Sequence, residues 1–196
     1  MIAQDLRSAA ADESGITVVE FGIVAPVFAV LLMGLMDLSH TAYTQSVLNG
    51  AVQEAARAAS LEGGNPATVD ATVTQMVQRI APNASVTTSR ESYFDYADID
   101  RPESWDDADD SGECDNGESY VDENNNDQWD ADIGATGNGG ASDVVIYTVN
   151  ISYERPFAMP LLPGAAQQNM SIRALRKNQP FAQQAPYNNT GGGTCD

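Results

Sequence analysis

The chain reads as an α+β protein. A long N-terminal transmembrane and stalk helix leads to a second short helix and a small antiparallel sheet, which carries an acidic calcium-loop-like insertion. Three observations predict this. An apolar run fills Ile16–Met36, helical spacing continues to Glu62, and three β-patterned segments follow Pro82.

"ITVVEFGIVAPVFAVLLMGLM", Ile16–Met36, is 21 residues long and holds one charge, Glu20. About 20 apolar residues span a bilayer core, and no small-residue cleavage site follows the run. The spacing predicts a retained membrane helix over 16–38. Pro26 inside it is tolerated because neighbouring groups re-satisfy the freed carbonyl. Gly22 and Gly34 permit close helix packing. Glu20 is costly in a membrane segment. Either it takes a partner or it sits in the headgroup zone.

Leu48, Ala51, Val52, Ala55 and Ala59 fall at helical spacing, which predicts a helical stalk over 39–62 that Gly63, Gly64 and Pro66 stop. From Ile16 to Glu62 such a helix is about 70 Å long at 1.5 Å per residue. His40 is read as a surface residue, because metal sites need convergent partners. A second helix is predicted over Pro66–Ile80, with Pro66 in its first turn and Val69, Val73, Met76, Val77 and Ile80 as a core stripe.

Strands are predicted over Ser85–Phe94, Ser142–Glu154 and Gln168–Arg176. In the second, Val145, Tyr147, Val149, Ile151 and Tyr153 share one face. In the third, Met170, Ile172 and Ala174 do. "RPFAMPLLPG", Arg155–Gly164, is apolar and broken by prolines. It either caps the core or lies on the membrane surface. Pro180–Asp196 reads as a flexible tail. The organisation is therefore a leader over 1–15, the membrane helix, the stalk, an α+β domain over 66–181 with its acidic insertion at 91–140, and a tail over 182–196.

Acidic residues outnumber basic ones 28 to 9, and 17 of the 28 lie between Glu91 and Asp132 beside a single Arg. Nucleic-acid binding is excluded by that balance, since phosphate needs a basic face. The acidic block repeats itself. "ESWDDADDSGECDNG", Glu103–Gly117, is followed by "ESYVDENNNDQWDAD", Glu118–Asp132.

With Asp107 as position one, Asp109, Ser111, Gly112, Glu113, Asp115 and Glu118 fall at positions three, five, six, seven, nine and twelve of a twelve-residue calcium loop. The copy places Asp122, Asn124, Asn126 and Asp130 at one, three, five and nine. It has Asp127 in place of the glycine and Ile133 at twelve. Asp132 or a residue from elsewhere must complete that shell. No amphipathic helices flank the loops, so the likeness is to the loop alone. Two readings stand: Ca2+ sites, or a solvated disordered loop. Cys114 and Cys195 form either one bridge or two thiols. One His, no phosphate-cradling glycine loop and no nucleophile–base pair predict that the chain is not an enzyme.

"ESGITVVEFGIVAPVF", Glu13–Phe28, resembles the start of TadE-like proteins, minor pseudopilins of the tight-adherence (Flp) pilus. "SIRALRKNQPF", Ser171–Phe181, is similar to the family's closing strand, with Gln179 where Glu is more usual. The resemblance implies cleavage after Gly15 by a prepilin peptidase, leaving Ile16 as the new N-terminus, Glu20 at the fifth mature position and Phe21 after it. It implies a single-pass protein of the bacterial inner membrane, N-terminus cytoplasmic and C-terminal domain periplasmic. Its implied partners are other pseudopilins, the major pilin, the peptidase, the inner-membrane assembly platform and the lipid bilayer. One lone Arg7 ahead of the apolar run agrees with the inside N-terminus. The alternative is an uncleaved, single-pass calcium-binding protein of adhesion or sensing.

Overall fold

A computed structural model describes residues 15–61, 65–124, 126–157, 166–180, 182 and 191–195. The leader up to Ser14, most of the Arg155–Gly164 segment and the Phe181 that closes the second resemblance lie outside them. Helix α1 spans Ile16–Ala59 and α2 spans Pro66–Gln78. Six strands follow: β1 Ser85–Tyr93, β2 Ser119–Asp122, β3 Ala135–Thr136, β4 Val144–Glu154, β5 Gln167–Lys177 and β6 Gly191–Thr194. The α+β class and the three predicted long strands stand, each within two residues of its expected ends.

The chain divides into two compact units. The first is Met1–Tyr43 with Glu154–Gln168. Here α1 is apolar and outward-facing, with Val18, Phe21, Ile23, Leu31, Leu35 and Leu38 all exposed. By length and composition it is long and apolar enough to cross a membrane. Asp37 is the buried polar exception. Its carboxylate accepts from Arg155 at 2.7 Å, and Arg155 also donates to Gln168. An anion this close to an apolar stretch needs such a counter-charge.

The second unit is Thr44–Tyr153 with Asn169–Asp196. The lower part of α1 turns Leu48, Ala51, Val52, Ala55 and Ala56 into a core with Val69, Val73 and Val77 of α2. Small alanines let the two helices approach each other and the sheet. Asn65 caps α2, its Oδ1 accepting the N–H groups of Ala67 (2.9 Å) and Thr68 (3.3 Å), with Pro66 behind it.

The sheet order is β3-β1-β4-β5, with β1 antiparallel to both neighbours. Register runs from Ser85 opposite Ser152 to Tyr93 opposite Val144. That register turns Tyr147, Val149, Ile151 and Tyr153 onto the helices. A second cluster, Tyr93, Ile133 and Val144, lies under the acidic segment. Asn178, just past β5, donates to the carbonyls of Asn138 (2.7 Å) and Gly140 (2.8 Å), fastening the end of β5 to the turn before β4.

Two expectations need correction. The tail is not free throughout: β6 pairs antiparallel with β2, Ser119 opposite Thr194 and Asp122 opposite Gly191. Glycines there serve close approach, since a Cβ on Gly193 would stand 2.6 Å from the Tyr120 ring. His40 is half-buried rather than a surface residue.

Candidate cation-binding segment

The first loop curls on its own carboxylates. Asp107 Oδ1 accepts the N–H of Ser111 (3.0 Å) and Oδ2 that of Gly112 (3.0 Å), while Asp109 Oδ1 also takes Ser111 N–H (3.1 Å). Aspartate at positions one and three folds the backbone back in this way, and the turn requires left-handed geometry at the sixth position. Gly112 supplies it at φ +78°. The Ser111 hydroxyl donates to the carbonyl of Glu113 (3.0 Å), so positions five and seven meet. Glu113 thus offers backbone oxygen, and its own side chain is exposed.

Glu118 closes the ring from the far end. Its Oε1 accepts from Ala108 N–H (2.6 Å) and its Oε2 from Asp115 N–H (3.3 Å). One carboxylate oxygen from each of Asp107, Asp109 and Glu118 lies within 4.8 Å of the others, an acidic group that could hold a metal ion. Burial and the nearby charges of Asp109 and Glu118 push the Asp115 carboxyl above its ordinary range. Asn116 Nδ2 touches both Asp115 (2.8 Å) and Asp109 (3.4 Å).

The second loop repeats the fold. Asp122 accepts from Asn126 N–H (3.2 Å) and Asp127 N–H (2.9 Å), and Asp127 adopts φ +63° where the first loop has glycine. Asn124 and Asn126 side-chain amides both donate to Asp130 Oδ2 at 2.7 and 2.6 Å. Ile133, the twelfth residue, is buried in the Tyr93 cluster. Asp132 accepts from Tyr93 Oη (2.8 Å) and Gly134 N–H (3.2 Å).

Glu103 was not singled out in the sequence, and it is the most enclosed carboxylate of the acidic segment among the described residues. It is 0 % exposed and accepts N–H groups from Glu123 (2.7 Å), Asn124 (3.3 Å) and Asp130 (3.2 Å). Burial pushes its carboxyl up, those three donors pull it down, and Asp122 repels it; the net direction is up. The only signal for it in the sequence was its place at the head of the repeat. Arg101, the single base of the segment, pairs with Glu123 (2.7 Å) and Asp98 (3.1 Å). The Arg101 hydrogen bonds hold Glu123 below the usual carboxylate range.

Cys114 and Cys195 form a disulfide, their Cα atoms 5.6 Å apart. The Cys195 carbonyl accepts from Gly117 N–H and its N–H donates to Glu118 carbonyl, both at 2.8 Å. The bridge thus locks β6 beside the residue that closes the first loop.

Gly15 immediately precedes α1, and Ile16, Glu20 and Phe21 lie in its exposed first turns.

The family model described as TadE-like protein matches residues 15–57, and this stretch of the chain is TadE-like. It begins at Gly15 and runs through the apolar half of α1 into the part that packs on the sheet. No curated protein and no solved structure matches the chain.

Proposed function

We propose that this protein is a minor pseudopilin of Flp-type pilus assembly, a structural part with no catalysis of its own, anchored by α1 in the bacterial inner membrane. The TadE-like match over residues 15–57 carries this reading, together with the exposed apolar face of α1. A prepilin peptidase cuts after Gly15 on the cytoplasmic side. The new α-amine of Ile16 is a cation, and the Glu20 carboxylate lies one helical turn further on. In an assembly, Glu20 of one subunit meets the amine of a neighbour. A desolvated carboxylate with one specific partner sets register rather than raw stability. Sibling pseudopilins, the major pilin and the membrane platform are the partners. The α+β domain faces the periplasm.

The first acidic loop is a Ca2+ site. Six oxygens are available from Asp107, Asp109, Ser111, the Glu113 carbonyl, Asp115 and Glu118, all hard donors suited to that ion. Holding them together without a cation costs mutual repulsion.

N-terminal sequencing of the protein from membranes tests the assembly reading. Ile16 as first residue supports it. Met1 supports the second reading, an uncleaved calcium-binding adhesion or sensing protein, which the carboxylate cluster favours.

A further inference from the structure

The connection from β4 to β5 belongs with the anchor helix. Glu154–Gln168 and Met1–Tyr43 form one compact unit. Arg155 N–H donates to the Ala166 carbonyl (2.8 Å) and closes the base of the connection. From that base the Arg155 side chain reaches α1, where its Nη1 donates to Asp37 Oδ2 at 2.7 Å. Asp37 follows Met36, the last residue of the apolar run. The ion pair therefore fixes the base of the connection at the level where the apolar run ends. With α1 as a membrane anchor, the reading on which this inference rests, that level is a bilayer surface.

What the pair fixes there is apolar. "PFAMPLLPGAA", Pro156–Ala166, has no charged, amide or hydroxyl side chain. Its described members Pro156, Phe157 and Ala166 are exposed. Phe157 belongs to neither packed cluster of the described residues. Apolar surface left open beside a membrane helix marks a lipid contact. Pro156, Pro160 and Pro163 carry no backbone N–H, which removes three donors that a poorly hydrated boundary would leave unsatisfied. The stretch is too short to cross a bilayer, and a non-helical backbone does not enter the hydrocarbon core. It suits the boundary between headgroups and acyl chains, where a phenylalanine ring can be buried while nearby charges stay at the surface. The Arg155–Asp37 pair meets that second condition, each charge answering the other.

We propose that the β4–β5 connection, entered through Pro156 and Phe157, seats on the lipid bilayer beside α1, held at that depth by the Arg155–Asp37 pair. The protein then grips the membrane at two places, the helix and the connection. A second contact beside the helix axis restricts rotation of α1 about that axis, which a lone spanning helix leaves free.

Spin-label depth measurement tests this on the full chain, reconstituted at low density in vesicles of phosphatidylethanolamine and phosphatidylglycerol. Cys114 and Cys195 are bonded to each other, so an introduced cysteine takes the nitroxide alone. Labels go at Phe157→Cys, at Leu31→Cys on the exposed apolar face of α1, and at Thr136→Cys on exposed β3. Oxygen, which concentrates in lipid, and a water-soluble nickel chelate serve as competing relaxation agents. The oxygen-to-nickel ratio at Phe157→Cys is expected to lie several-fold above that at Thr136→Cys and below that at Leu31→Cys. Adding Arg155→Ala is expected to bring it down toward the Thr136→Cys value. A Phe157→Cys ratio equal to that of Thr136→Cys overturns the contact and leaves the anchor reading intact, provided Leu31→Cys reads as lipid. A label at Phe157→Cys shielded from both agents also overturns it, because protein then covers the connection. A water-like ratio at Leu31→Cys overturns the anchor reading and the contact together. An unmoved ratio on adding Arg155→Ala overturns the holding role of the ion pair. Non-reducing electrophoresis checks the Cys114–Cys195 bridge in each variant. Should Phe157→Cys fail to form it, the label moves to Ala166→Cys, with the same outcomes.

Discussion

Asp70 is the residue on which the join between α2 and the sheet turns. It accepts two hydrogen bonds from Arg90, at 3.0 and 2.5 Å, and one from Tyr147 Oη at 2.7 Å, while the Arg90 guanidinium lies 4.4 Å over the Tyr147 ring. Burial raises the Asp70 carboxyl, but the Arg90 and Tyr147 contacts outweigh it and hold it below its ordinary value of 3.8. An acid whose folded pKa is depressed contributes stability above its unfolded pKa, and that contribution is lost as pH falls through the folded value. Thermal melts should thus weaken as the pH drops below about 4. Asp70→Asn should flatten that acid limb and cost about 1–3 kcal/mol at neutral pH by leaving Arg90 without its partner. An unchanged acid limb in the variant would refute the assignment. Nothing in the sequence pointed to this trio. The three residues are far apart along the chain and meet only because β1 and β4 lie beside α2. By contrast Glu20 was visible at once, since a charge stands out in an apolar run.

Among elements, the long strands and α2 were legible because each has one buried face, so periodicity alone marks them. Pro66 announced the start of α2, while its cap, Asn65, came to light only in the structure. Replacing Asn65 with Ala should cost about 1 kcal/mol in denaturant titrations. The last strand was not legible. Gly191–Gly193 has no side chains to alternate, and glycine normally signals freedom. Its strand exists because Tyr120 lies against a backbone bare enough to approach, and because Cys195 is bonded to Cys114 across 81 residues of sequence. Gly193→Val should displace β6, read as faster amide exchange across β2. Closing so long a loop is worth about 3–5 kcal/mol in the chain-entropy view. Cys114→Ser should lower stability toward that amount and free the tail to proteolysis, checked by denaturant titration and limited digestion. Of the acidic loops, spacing brought out Asp107, Asp109 and Glu118, which the fold does gather, but not Glu103, because a side chain that folds in from the preceding segment breaks the linear pattern that defines the motif.

On the scale of the whole chain, the two units have different environments. In the first, the apolar face of α1 is unburied within the chain and suits lipid or neighbouring helices. In the second, the same helix contributes a conventional packed core. One helix thus links anchorage to a folded domain, and the TadE-like match covers both parts of it. An assembly built through such helices needs a directional signal, and apolar packing in lipid supplies little of it. The charge pair between Glu20 and a neighbour's Ile16 amine would supply that signal. The most direct measurement is pilus assembly in cells whose only copy of this protein carries Glu20→Gln, compared with Glu20→Asp and with the wild type. Our account predicts that the amide variant accumulates in the membrane, is still cut ahead of Ile16, and supports few or no pili, with the aspartate variant in between. Wild-type numbers of pili from Glu20→Gln would contradict it.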